Sequence, residues 1–455
     1  MSDPRQPLGM TSRARVFALL LTCAPVLLST SAPAQQIAPL SPAGEPAVSD
    51  DPSPAGPVAI SDAMGLPDAA RVIAALDTHP GVLAAHARTD AARAQARALA
   101  RGSHEITVNG IYSRRTVDFD GTYDEFDGQV TRAFRLPGKT RLDKEIGKYG
   151  VLAASNSAED VRHQTALLLA ETWWDWLAAG AQARIDRKAV ATYERLLATV
   201  QRRVELRDAA RLEADQAEAM LEATRLAAQR SAGQEALARE VLLAQFPGLL
   251  SPEARPPEVP VPDYAPETVA RMGQLVVERS HEIAAADATA LQADASASRA
   301  DAERIADPTL GLRLFSERSG QETGAGVTFS MPLGGGHRKA LAEQAQAQAS
   351  AAMAQVTATR FEVDARARSD MTGARYAFTA WQRARRGLEA QVSALEKLRL
   401  GYRAGEIDLG DELVGERQVL EALHAEAEAR SEALRALTRL RIDSHSIWAA
   451  EGDED

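Results

Sequence analysis

The chain has 455 residues, a formal net charge of −11 and a pI near 5.4, a balance that argues against a nucleic-acid partner, which needs a basic face. Aromatic residues make up only 5%, sparse for large compact cores, and the 25% of charged residues with abundant alanine suggest long helices packed side by side.

Arg13 and Arg15 precede an apolar run from Val16 to Leu28, and Ala32-Pro33-Ala34 follows with small residues at the cleavage spacing. Residues 1–34 therefore read as a secretory signal, because the run is too short to span a bilayer comfortably. The sole cysteine, Cys23, lies inside it, behind Thr22 rather than the small residue that lipidation prefers. Cleavage after Ala34 leaves no cysteine for disulfides, thiolate catalysis or metal ligation. Residues 35–66 carry six prolines among Ala, Ser, Asp and Gly and read as an extended leader. No later segment has the roughly 18 consecutive apolar residues of a transmembrane helix.

Pro67 is expected to open a helix that runs toward Arg101, broken or kinked at His79-Pro80. The period then changes. Over 104–117, Ile106, Val108, Gly110 and Tyr112 alternate with polar residues; over 124–136, Phe126, Gly128, Val130 and Phe134 do the same. Two strands joined by a loop at Gly121 are predicted, ending in a corner at Pro137-Gly138. A proline-free, Ala/Leu/Glu/Arg-rich stretch follows to residue 246 and is helical by propensity.

After a proline-rich linker at 249–266, the pattern returns. Leu310, Leu312 and Leu314 alternate within 308–317, and Ala325, Val327, Phe329 and Met331 within 323–332. Pro332-Leu333-Gly334 makes the corner, and a second proline-free stretch runs to the end. The chain is thus mainly α with a small β part and a two-fold internal repeat, 67–248 and 267–448, with an acidic tail at 449–455. Trp173, Trp174 and Trp176 cluster on the first long helix. Trp174 is expected in a packing seam and the other two partly exposed.

Each predicted strand has one apolar face and about the 9–11 residues that cross an outer-membrane bilayer. Four strands are too few to close a barrel alone, since single-chain barrels need about eight. Three chains sharing one barrel would supply about twelve, enough for an open lumen. The long helices would continue the tube on one side.

Glycines at 401, 405 and 410 mark a turn in the second helical stretch, Tyr402-Arg-Ala-Gly-Glu-Ile-Asp-Leu-Gly-Asp-Glu-Leu. This segment resembles the Tyr-x-x-Gly then Asp-x-Leu turn of the TolC family of outer-membrane efflux channels. The corners Leu136-Pro-Gly-Lys-Thr-Arg and Met331-Pro-Leu-Gly-Gly-Gly-His-Arg are similar to that family too. The resemblance covers roughly 67–448. It implies a homotrimer in outer-membrane lipid with its helices in the periplasm, a non-enzymatic exit duct without cofactors. The implied partners are a periplasmic adaptor and an inner-membrane efflux pump of the resistance-nodulation type. The Pro-Gly-Lys corner and the length look most like the heavy-metal branch.

The resemblance also implies a closing aperture at the periplasmic tip, with Tyr402, Gly405, Asp408, Asp411 and Glu412 from the second copy and Glu213 from the first. Pro137, Gly138, Pro332 and Gly334 would form the strand–helix corners. Two departures stand out: Arg207 replaces the turn glycine in the first copy, and Ile407 stands where some members have a bonding arginine. Alternatives are a type I protein-secretion duct and, from another class, a soluble periplasmic coiled-coil adaptor or scaffold, which would lack lipid-compatible strands. No catalytic or metal-binding constellation emerges. Pro137-Gly-Lys-Thr has Ala133 where a phosphate loop needs glycine, and Glu421-x-x-His424 occurs only once.

Overall fold

The computed structural model describes residues 65–448 except 252, all within one compact unit. The signal segment with Cys23, the leader up to residue 64 and the tail at 449–455 lie outside the described residues. The first half comprises α1 (Ala69–Asp77), α2 (Pro80–Arg101), β1 (Ile106–Val117), β2 (Gly121–Ala133), α3 (Lys139–Glu205) and α4 (Arg211–Gln245). The second comprises α5 (Pro266–Glu278), α6 (His281–Ala302), β3 (Thr309–Glu317), β4 (Glu322–Ser330), α7 (Gly336–Ala404) and α8 (Leu409–Asp443). Corresponding helices match in length: α2 and α6 have 22 residues each, α4 and α8 have 35 each, and α3 and α7 have 67 and 69. At about 1.5 Å per residue, α3 and α7 are each about 100 Å long.

The helix expected from Pro67 is broken at His79-Pro80 into two. Asp68 caps α1 by accepting from the Arg71 amide at 3.1 Å, and His79 caps α2 by accepting from Gly81 at 3.2 Å. Pro80 then occupies the first turn of α2, where its missing N–H costs nothing.

The sheet has the order β1-β2-β3-β4, antiparallel throughout. Its register pairs Val108 with Val130, Val130 with Leu312, and Leu312 with Val327. Period-two alternation therefore gathers Ile106, Tyr112, Phe126, Leu310, Leu314 and Phe329 with them on one face, and all of these are exposed in the single chain. The opposite face is polar: Arg115 donates to Glu125 at 2.9 Å, Arg313 pairs with Asp127, and Gln129 donates to Thr328 at 3.0 Å. All four strand–helix joints lie along one rim, because Ile106, Ala133, Thr309 and Ser330 fall together in the register. Both hairpin loops lie along the other. Among the described residues no helix is long and apolar enough to cross a membrane.

The main core sits in the middle of the helical body, where buried side chains of α1, α3, α5, α7, α8 and the linker between the halves gather. Here the expectation for the tryptophans is corrected: Trp173, Trp174 and Trp176 are all fully buried. Trp173 donates its indole N–H to the Gly65 carbonyl at 3.0 Å, and Trp174 donates to Thr438 Oγ1 at 3.0 Å. Trp176 packs edge-on against Trp173, ring centroids 5.3 Å apart. Around this level α3 is covered by α8 on one side and by Leu66 and the linker residues Leu249, Leu250 and Val259 on others, while Glu171 and Asp175 stay exposed. A helical periodicity argument counts one seam; the returning linker supplies a second.

Candidate functional site

The two tip turns, Leu206–Ala210 and Gly405–Asp408, close the helix pairs α3–α4 and α7–α8 at the end far from the sheet. They have the same backbone. In one, Gly405 takes φ 76°, with Glu406 N donating to Gly401 O at 2.9 Å; in the other, Arg207 takes φ 61°, with Asp208 N donating to Arg203 O at 2.8 Å. These are six-to-one closures of a left-handed helix end. The first copy forms the turn without its glycine by holding an exposed arginine in the left-handed region.

Side chains tie the turns together. The Tyr402 hydroxyl donates to Glu213 Oε2 at 3.2 Å and accepts from Arg203 Nη1; the Arg203 guanidinium also lies over the Tyr402 ring, 5.2 Å from its centroid. Arg203 Nε in turn donates to Asp208 at 3.0 Å. Glu213 uses its other oxygen to accept from the Ala210 amide at 3.3 Å, so one carboxylate caps α4 and holds Tyr402 of the other copy. Burial, then the Glu213 charge, pushes the Tyr402 hydroxyl pKa up against the lowering effect of Arg203. The sequence reasoning missed Arg203. Its signal was the basic pair Arg202-Arg203 in the last turn of α3; its partner lies 199 residues away.

The other tip residues separate into distinct roles. Asp408 caps α8, accepting from the Asp411 amide at 3.0 Å, and both side chains face solvent. Ile407 lies against Gly401, where a Cβ would meet it at 3.4 Å. Glu412 is buried: it is 7% exposed, its Oε2 has no hydrogen-bond partner, and burial followed by the Glu416 charge raises its pKa.

At the rim, Gly138 and Gly334 take φ 90° and 91°, the same left-handed corner in both copies, after Pro137 and Pro332. Beyond that the copies differ. In the first, Lys139 is 2% exposed and its ammonium donates to Asp307 at 2.8 Å, Glu303 at 3.1 Å and the Ile305 carbonyl at 2.7 Å. Asp307 also accepts from the Leu136 amide at 2.9 Å and bonds His104 at 3.1 Å. In the second, Arg338 donates to the carbonyls of Pro332, Gly334 and Arg304. Burial pushes the Asp307 and Glu303 carboxyls up, but Asp307's bonds to Lys139 and Leu136, and Glu303's to Arg299 and Lys139, outweigh it, so both titrate low. Elsewhere, His424 bonds Asp186 at 2.8 Å and is an ordinary partnered side chain. Among the described residues no group of three His, Cys, Asp or Glu is placed to hold a metal ion.

Two outcomes follow from these contacts. Arg207→Gly should raise stability by about 0.5–1 kcal/mol in denaturant unfolding, because glycine adopts the left-handed turn without strain. Lys139→Met should cost about 3 kcal/mol, since it leaves two carboxylates without their buried cation. Because Asp307 and Glu303 titrate low, their contribution is present above about pH 4 and lost as pH falls further. Thermal melts across that range should fall for the parent and stay flatter for Lys139→Met.

No family model and no curated protein matches the sequence. Solved structures do match. The outer membrane protein VceC of Vibrio cholerae superposes with a TM-score of 0.69 at 18% identity, over 82% of this chain and 95% of that one. The Campylobacter jejuni CmeC outer membrane channel gives 0.65 at 16% identity, over 82% and 84%. The open state of the Neisseria gonorrhoeae MtrE outer membrane channel gives 0.63 at 17% identity, over 82% and 88%. The chain has the fold of these outer-membrane channels, the fold that its resemblance to the TolC family implies.

Proposed function

We propose that this chain is the outer-membrane exit duct of a tripartite efflux system, working as a homotrimer with a periplasmic adaptor and a resistance-nodulation-type pump. One observation carries the reading: a four-stranded sheet with one apolar face, two open edges and all four adjoining helices, α2, α3, α6 and α7, leaving from the same rim. β1 and β4 run in opposite directions, so β4 of one copy can pair antiparallel with β1 of the next and continue the alternation around a ring. Three copies close about twelve strands, turning the apolar face to lipid and the Arg-Glu and Arg-Asp pairs to a wet lumen. The helices extend that lumen through the periplasm. A soluble adaptor has no use for such a face, which would aggregate in water.

The tip is the gate in this reading. The Arg203–Tyr402–Glu213 contact holds the two helix hairpins of one protomer against each other, and its release lets them splay. Exposed Asp408 and Asp411 add negative charge at the aperture, favouring cations.

Membrane fractionation followed by native mass measurement in detergent tests the assembly: an outer-membrane trimer is expected, and a soluble monomer would overturn it. For the gate, Tyr402→Phe should raise single-channel conductance in planar bilayers. It keeps the ring over Arg203 and removes only the hydroxyl bridge. Unchanged conductance with an intact trimer would remove this contact from the gate.

A further inference from the structure

The junction of α3, α6, α7 and the end of α8 contains a pair of acids that neither the tip nor the rim uses. Asp370 on α7 and Asp443 on α8 face each other closely enough for one carboxyl to hydrogen-bond the other. Both side chains are at least nine-tenths buried, 10% and 2% exposed. The Oδ2 atoms of both are buried without a hydrogen-bond partner. Two buried carboxylates in contact repel, and each empty oxygen forfeits a bond; one proton between them cures both defects. Among the described residues the one cation paired with both is Arg439, whose Nε lies 3.2 Å from Asp370 and 3.6 Å from Asp443. Its side chain is 54% exposed, so water screens it.

The surroundings tie the pair to the rest of the bundle. From α3, His163 Nε2 sits 2.9 Å from Asp443 Oδ1, with Asp160 one turn earlier. His445, just beyond α8, stacks on His163 with centroids 5.1 Å apart, and its carbonyl accepts from Arg279 at the end of α5. From α6, His281 meets His445 edge-on at 4.8 Å, and its neighbour Glu282 is bonded by Arg366 of α7 at 2.5 Å. Of these surrounding cations, Arg366 is committed to Glu282, and Glu171 of α3 with Glu432 and Arg435 of α8 line the same cavity as Asp370.

We infer that Asp370 and Asp443 hold one proton between them, that this proton clamps α7 to α8 against α3, and that its loss in mildly alkaline solution loosens the bundle there. Burial, then the Asp443 charge, pushes Asp370 up to about 7, while Asp443, despite its burial, is held low chiefly by its hydrogen bond from His163. The sign follows. Asp370 binds its proton more tightly folded than unfolded, so its contribution is full below about pH 4 and is lost as pH rises through about 7. The inference stands on the side-chain geometry and holds whether or not the chain is a duct.

Hydrogen exchange of the full-length protein in detergent, corrected for intrinsic rates, reads the clamp directly. Peptides around Asp370 and at the end of α8 should lose protection several-fold between about pH 6 and about pH 8. In Asp370→Asn the amide donates to Asp443 at every pH, and protection should be high at both. The same pH dependence in Asp370→Asn, or none in the parent, overturns the proposal. If that variant does not fold, infrared titration of the unmodified protein decides. A protonated-carboxyl band that disappears near neutrality supports the shared proton, and its absence at mildly acidic pH refutes it.

Discussion

Among the described residues, the outward-facing backbone N–H and C=O groups of the edge strands β1 and β4 have no strand partner, and in lipid each would cost several kcal/mol. Much of the architecture answers that constraint. An even number of antiparallel strands leaves two edges that are complementary to each other, so copies can close a ring without changing register. Placing all four strand–helix joints on one rim keeps the adjoining helix ends out of the apolar band. The buried Lys139 at the first corner and the Arg338 carbonyl clamp at the second then fix the angle at which 100 Å helices leave a short sheet. Small errors in that angle would be magnified along the helices, which explains why the corner is the place where a fully buried ammonium is worth its desolvation.

The duplication preserves backbone and spends its side chains differently. Both corner glycines and both tip residues at the left-handed position keep their φ values, while the bonds around them are unlike: ammonium against guanidinium at the rim, Glu213 against Asp408 as the helix cap at the tip. The tip contact is itself heterologous. Arg203 and Glu213 come from one copy and Tyr402 from the other, so the duplication creates an interaction that neither copy has alone.

Period-two apolar runs and proline-marked corners were legible from the sequence, because alternation and punctuation are local properties. The separation of an apolar and a polar sheet face followed from the same alternation. Contacts made across great sequence distance were not legible. Arg207 carried no cue that an arginine would hold a glycine's conformation; only its place in the repeat hinted at it. Lys139 looked like part of a corner motif, yet its partners Glu303 and Asp307 lie more than 160 residues on. Trp173 and Trp176 were misjudged for a similar reason: the linker that covers them is proline-rich, and composition alone reads it as a spacer rather than a lid. The burial of Glu412 was not legible either, because turn position gives no measure of depth.

The tryptophan cluster has a consequence for how the chain is made. Trp174 is satisfied only by Thr438, 264 residues later, and Trp173 only by Gly65, 108 residues earlier. The main core draws on both repeats, the segment before α1 and the linker. Neither repeat can therefore finish folding by itself, and the first must wait, with the Trp174 indole unpartnered, until the last turns of α8 emerge. Such long-range closure is slow and leaves apolar surface open in the interval. A chain of this design depends on being kept from self-association until its own C-terminus arrives.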